Sequence, residues 1–201
     1  MTYDRAIPLF FFRHGETFYN AEGRIQGQLD TPLSPLGREQ AEEVAPKLAA
    51  SMGEHGLGFD QAVWVASPLA RASETMRIAR ATLGLAPDGF ARDDRLMELG
   101  FGRWQDLTWR EIDARYPGAV AARNADVWDF QPPDGESYAQ LATRVRDFLD
   151  GLSAPAVVAA HGGVARALMV LIGGVAPTVA HRAPIHQGRL LVFAEGRGRW
   201  T

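Results

Sequence analysis

Four short apolar runs punctuate the chain, at residues 7–12 (IPLFFF), 62–66 (AVWVA), 156–160 (AVVAA) and 190–194 (LLVFA). None shows the alternation of a strand with one wet face, so each reads as a strand buried on both sides of a sheet. Between them the apolar period lengthens. Leu36, Ala41, Val44, Ala45, Leu48 and Met52 recur at helical spacing behind Ser34-Pro35, a capping residue followed by a proline suited to the first helical position, and residues 53–58 read as the loop that follows. Ser67-Pro68 is expected to open a second helix in the same way. Thr108 with Glu111, and Ser137 with Gln140, have the spacing of capping boxes, and the latter precedes a face of Leu141, Val145, Phe148, Leu149 and Leu152. A last helix is expected over 163–172.

Strands alternating with helices predict an α/β fold: three layers, α/β/α, around a mostly parallel central sheet. The stretch 84–135, rich in turn signals from Gly84 to Pro132-Pro133-Asp134-Gly135, interrupts this rhythm. It is expected to be a cap inserted over the active site within a single domain of residues 1–201.

Composition narrows the chemistry. With 201 residues, the chain can bury a core without covalent staples. It has no cysteine, which excludes thiolate nucleophiles, iron–sulfur clusters and cysteine zinc sites. A net charge of −3, with basic groups scattered, argues against nucleic-acid binding. No apolar stretch approaches the ~20 residues of a membrane span, and the first residues lack the pattern of a secretory signal, so a cytoplasmic location is expected. Lys47 is the only lysine, and the other 20 basic side chains are arginines. That excess suits a protein in which some arginines clamp an anion.

The candidate chemistry lies where strands end. The first run is followed by Arg13-His14-Gly15, the second by Ser67-Pro68-Leu69-Ala70-Arg71, and the third by His161-Gly162-Gly163. In open α/β sheets, ligands bind beyond the carboxyl ends of the strands. Two histidines and two arginines therefore converge on one rim, with glycines that permit close backbone approach and helix starts that favour anions. The five histidines show no pair at metal-ligand spacing, and the flanking arginines repel cations, so no metal or other cofactor is expected.

These residues carry a resemblance. Arg13-His14-Gly15-Glu16-Thr17, Asn20, Arg24, Gln26-Gly27, Leu33-Ser34-Pro35-Leu36-Gly37 and Gln40-Ala41 are followed in order by residues 66–75 (ASPLARASET), Glu98-Leu99-Gly100-Phe101-Gly102-Arg103-Trp104, 132–137 (PPDGES) and His161-Gly162-Gly163. The set is similar to the signature of the histidine phosphatase (phosphoglycerate mutase-like) superfamily, and in pattern to its small phosphatases of the alpha-ribazole and broad-specificity kinds. The resemblance implies a phosphoglycerate mutase-like fold and a metal-independent phosphatase. In it His14 attacks phosphorus, Arg13, Arg71, His161 and Asn20 hold phosphoryl oxygens, and Glu98 serves as general acid and then base. Gln26, Gly27 and Gly162 complete the implied binding set. It further implies a small phosphate ester as substrate, phosphate or sulfate as occupants of the same site, and neither nucleic acid nor membrane as partner; self-association is left open. Glu16 and Thr17 read as loop-fixing, while Arg24, Arg77 and Glu136 read as supports. Trp104, Trp109, Trp128 and Tyr138 either line the leaving-group pocket or pack the cap. His55, His181 and His186 read as bystanders. Many relatives have Glu-Gly after the tryptophan where this chain has Gln105-Asp106, which bears on the loop beside Glu98.

Two rivals remain. A cofactor-dependent phosphoglycerate mutase would use the same core, but the glycolytic mutases are longer and carry a basic pair before Pro-Pro, where this chain has Trp128-Asp129-Phe130-Gln131. A non-catalytic phospho-ligand module would have lost the nucleophile or the acid, and both are here.

Overall fold

The computed structural model describes residues 3–201. In chain order its elements are β1 (Leu9–Arg13), α1 (Phe18–Ala21), α2 (Pro35–Glu54), β2 (Val63–Ala66), α3 (Ala70–Thr82), β3 (Ala91–Arg92), α4 (Trp109–Arg115), α5 (Ala119–Ala125), α6 (Tyr138–Asp150), β4 (Ala156–Ala160), α7 (Gly162–Leu171), α8 (Pro177–Ala180), β5 (Leu190–Ala194) and β6 (Arg197–Trp200). Six strands form one sheet in the order β3-β2-β4-β1-β5-β6. β1, β2, β3 and β4 run parallel, whereas β5 lies antiparallel to both β1 and β6.

Strand β1 shows why the apolar runs lack alternation. Leu9 and Phe11 point into a core shared with Leu141, Val145 and Phe148 of α6 and Val164 and Leu168 of α7. Phe10 and Phe12 point the other way, against Val44 and Leu48 of α2 and Met76 and Ala79 of α3. Helices cover both faces, giving the three-layer α/β/α arrangement. A third, smaller core of Ile25, Trp104 and Ile112 lies under the irregular chain around α4 and α5, with Phe101, Leu107 and Phe130 packed on it.

Several local expectations change. Ser34 caps α2 by accepting the Gly37 N–H at 3.1 Å, and both capping boxes form, at Thr108/Glu111 and Ser137/Gln140. α2 runs on to Glu54 through Pro46, its Leu36 faces outward, and Leu152 lies beyond the end of α6. Ser67 does not cap a helix: α3 begins at Ala70, with Leu69 as an uncapped N-terminal residue. The stretch 84–135 is not wholly outside the sheet, because Ala91–Arg92 pair with Val65 and Ala66. β3 and β6 carry no apolar signal, being two exposed residues and Arg-Gly-Arg-Trp.

Candidate active site

Parallel pairing brings the strand ends together. The His14 N–H donates to the Ala160 carbonyl at 2.9 Å, and the Ser67 N–H donates to that of Ala159 at 2.9 Å, so the residues after β1, β2 and β4 share one rim. The loop after His14 is pressed onto the start of α2. A Cβ on Gly15 would stand 2.0 Å from the Gly37 carbonyl oxygen, and one on Gly37 would stand 2.0 Å from that of Glu16. Peptide lies on peptide here, and only glycine at both positions allows it. Glu16 completes the clamp by accepting the Ser34 hydroxyl at 2.8 Å, and the Gly15 N–H donates to Thr75 Oγ1 at 3.1 Å.

His14 is buried, with Nδ1 2.7 Å from the Gly15 carbonyl oxygen. A carbonyl only accepts, so Nδ1 carries the proton and Nε2 keeps its lone pair. Burial, then Arg71 and Arg13, hold the His14 imidazolium well below its ordinary range, so the ring is neutral at pH 7. His161 is fully buried 5.2 Å from it, ring centre to ring centre, and is likewise held neutral by burial and by Arg71, His14 and Arg13. Its Nε2 lies 2.7 Å from Ser67 Oγ, which also accepts the Leu69 N–H at 3.3 Å. With Oγ accepting from Leu69, the hydroxyl proton is free to donate to Nε2 and leave the His161 proton on Nδ1. Ser67 and Thr75 thus brace His161 and the Gly15 loop, contacts that the sequence reading did not single out.

Arg71 is buried and spans to the opposite loop, donating to the carbonyls of Leu29 (2.6 Å) and Gly27 (2.7 Å). Burial pushes its guanidinium down to about 10, so it remains charged at neutral pH. Arg13 donates to the Ile185 carbonyl at 3.1 Å. Three buried polar nitrogens around His14 find no acceptor within the protein: Arg13 Nε, Arg71 Nε and His161 Nδ1. Buried donors are seldom left unpaired, and three of them beside one buried, neutral histidine suit a ligand with several acceptor oxygens.

Arg13, His14, Asn20, Gln26, Gly27, Arg71 and Glu98 line a cleft of about 140 Å³, together with Arg24, Ile25 and Phe101. His161 and Gly162, expected in the binding set, are not part of this lining, although the His161 ring packs against that of His14. Asn20 uses its Oδ1 to accept from the Thr17 N–H (3.2 Å) and from Gln187 (3.2 Å), and Gln26 accepts from the Thr31 hydroxyl. Each amide oxygen is thus engaged, which leaves each NH2 as the group offered to a ligand.

Glu98 sits where α7 begins. Its carboxylate accepts the N–H groups of Leu99 (2.8 Å) and Gly163 (2.9 Å). A Cβ on Gly163 would lie 2.3 Å from Glu98 Oε1, so that glycine belongs to the site although only Gly162 was expected there. Behind Glu98, Arg144 donates to its carbonyl at 3.0 Å and forms a two-pronged pair with Glu136, both contacts at 2.8 Å. Glu136 is thereby linked through Arg144 to the loop that carries Glu98. Arg77 is not, since it pairs with Asp88 on the surface at 2.7 Å. Arg24 borders the cleft and is held by Glu22 and the Asp106 carbonyl.

Gln105 and Asp106 leave the loop intact. Gln105 Oε1 accepts the Gln28 N–H at 2.8 Å, a bond a carboxylate would make equally well. Asp106 adopts φ +67°, the left-handed conformation that suits glycine. Trp104 is fully buried and stacks on Phe130 (5.4 Å), so it packs the small core, whereas Phe101 reaches the cleft. His55, His181 and His186 lie outside the cleft lining. Among the described residues, no three His, Asp or Glu side chains gather as a metal site, and no helix is long and apolar enough to cross a membrane.

The chain is 37% identical over 182 residues to the glucosyl-3-phosphoglycerate phosphatase of Mycolicibacterium vanbaalenii, covering 85% of this chain and 76% of that one. It is 35% identical over 167 residues to the metal-independent phosphoserine phosphatase of Arabidopsis thaliana, covering 80% and 66%. The structure of a mycobacterial glucosyl-3-phosphoglycerate phosphatase in complex with VO3 superposes with a TM-score of 0.74 at 32% identity, over 98% of this chain and 97% of that one. A model of the histidine phosphatase superfamily (branch 1) matches residues 9–201, and the chain belongs to that superfamily.

Proposed function

We propose that the protein is a phosphatase that hydrolyses a small, soluble phosphate monoester through a phosphohistidine on His14. The observation that carries this reading is the neutral His14, with Nδ1 tied to Gly15 and three unpaired buried donors around it. His14 Nε2 forms a bond to phosphorus as the bond to the ester oxygen breaks. Arg13, Arg71, His161 and Asn20 hold the three remaining oxygens, which neutralises charge as it spreads in the transition state. Glu98 donates a proton to the departing alcohol. It then takes one from water, whose oxygen attacks phosphorus and returns the electron pair of the N–P bond to His14. Inorganic phosphate and sulfate compete for the same donors.

The wider reading is a single domain over 1–201 whose stretch 84–135 covers the site, acting in the cytoplasm. The two enzyme activities named for the relatives act on esters whose alcohol part, a glycerate or a serine, bears a carboxylate.

The test is a hydrolysis panel of an aryl phosphate, phosphoserine, 3-phosphoglycerate, sugar phosphates and nucleotides, with and without EDTA, beside a mutase assay with 2,3-bisphosphoglycerate. Phosphate release unaffected by EDTA is expected, as is a loss of about 10³-fold or more in His14→Ala with an unchanged circular dichroism spectrum. Phosphoryl return to substrate in place of release, or substantial turnover by His14→Ala, overturns the proposal.

A further inference from the structure

The turn between α8 and β5 lends no residue to the cleft lining, yet it reaches two of the side chains assigned to phosphate. The Ile185 carbonyl accepts from Arg13 Nη1 at 3.1 Å. Two residues on, Gln187 Nε2 donates to Asn20 Oδ1 at 3.2 Å. Arg13 and Asn20 are thus held from behind by one short piece of chain.

That piece is itself fixed on three sides. Arg166 of α7 donates to the carbonyls of His181 (3.1 Å) and Ala183 (3.2 Å). The His186 ring meets Trp200 of β6 edge to face at 5.3 Å. Gly188 follows in the left-handed region (φ +65°), and its carbonyl accepts from Lys47. A Cβ on Gly188 would stand 2.9 Å from Glu43 Oε2 and 3.3 Å from Gln40 Cγ, so the backbone lies close on α2. Gln40, Glu43 and Lys47, spaced three and four residues apart, form one stripe of that helix. A side chain hung from this turn is therefore held by α2, α7 and β6 together.

Asn20 needs such a hold. It sits in α1, a single turn of four residues, and so short a helix has almost no stability of its own. The Thr17 N–H (3.2 Å) and the Thr17 hydroxyl (3.1 Å) also donate to Oδ1, but both move with α1. Among the described residues, Gln187 is the one donor to Oδ1 from outside this turn, 167 residues along the chain. The direction of the amide matters, because its NH2 attracts a phosphoryl oxygen and its Oδ1 repels one.

We infer that Gln187 is a positioning residue for phosphoryl binding, tying Asn20 to the body of the molecule with its NH2 turned to the phosphoryl oxygens. It acts through Asn20, and the inference rests on the phosphatase reading above for what Asn20 does.

A double-mutant cycle tests this, read as kcat/KM on an aryl phosphate and as the Kd of inorganic phosphate by calorimetry. Gln187→Met keeps the length of the side chain and removes the donor. In the wild type it is expected to raise KM and Kd about fivefold to tenfold, with kcat and melting temperature nearly unchanged. In Asn20→Ala the same substitution is expected to move neither by more than about twofold, because the group it aims is gone. Should Gln187→Met fail to fold by circular dichroism, Gln187→Ala takes its place in both backgrounds. Equal losses in the two backgrounds, or no loss in the wild type, overturn the positioning role, while aryl phosphate turnover leaves the phosphatase reading standing. A phosphate Kd that follows the cycle without turnover of any ester keeps the positioning role and overturns the phosphatase reading. Neither turnover nor phosphate binding overturns both.

Discussion

The two ends of the cleft are built on different principles. At the phosphate end, the positions of His14, Arg13 and His161 follow from backbone pairing of β1 with β4, and Arg71 is threaded through a buried passage to the carbonyls of Gly27 and Leu29. At the other end, Glu98 and Phe101 come from the loop after β3, and Glu98 is held by the Gly163 N–H of α7 and by Arg144 of α6. The first end is a by-product of the sheet. The second is side-chain work, held together by loops and helices far apart in the chain.

Removing the acid sharpens that contrast most. Glu98→Gln is expected to lower kcat about 10²–10³-fold on alkyl phosphates, whose leaving groups need a proton, and much less on an aryl phosphate. Equal losses on both would deny Glu98 its role as acid. A smaller effect is expected at the phosphate end from Ser67→Ala, about tenfold in kcat, because the hydroxyl fixes the His161 proton and otherwise makes only a long bond to the Leu69 N–H. Its signature is a shifted pH profile with little change in melting temperature; a parallel fall in kcat and stability would mark Ser67 as structural.

Stability against pH probes the same end. His14 and His161 have folded-state values well below the 6.5 of a free histidine, so as pH falls through that value the unfolded chain binds protons that the folded chain refuses. Stability is therefore full above about pH 6.5 and is lost toward pH 5, with a slope of up to about 2.7 kcal/mol per pH unit from the two groups. Melting temperatures across this window should show the loss, and His14→Gln should halve the slope. The smallest effect belongs to the leaving-group end. Asp106→Gly relieves a left-handed residue and removes an exposed 4.0 Å pairing with Arg24 and an exposed contact with the Tyr19 hydroxyl, so a gain of up to about 1 kcal/mol in denaturant titration is expected. A loss instead would mean that the aspartate side chain anchors the loop.

This contrast also explains what could be read from the sequence. Four strands were legible because burial on both faces writes an uninterrupted apolar run. β3 and β6 were not: one is two residues long, and the other is an edge hairpin of arginine and glycine whose pairing depends on β5. The rule that ligands sit beyond strand ends found His14 and His161 directly. It could not find the job of Ser67, since a serine before proline signals a helix start just as well, and only the arrival of His161 from β4 diverts its hydroxyl. Nor could it find Arg144 or Arg166. Whether a helical arginine faces water or a neighbour depends on packing across the chain, which no local pattern records.

Strand β1, near the start of the chain, pairs with β4 and β5 near its end. A polypeptide still emerging from the ribosome therefore carries His14 without the neighbour that seats it until β4 has been made. Catalytic competence arrives late and abruptly, when Ala160 docks against Arg13. A chain truncated before β4 would be a silent protein with its Arg-His-Gly intact.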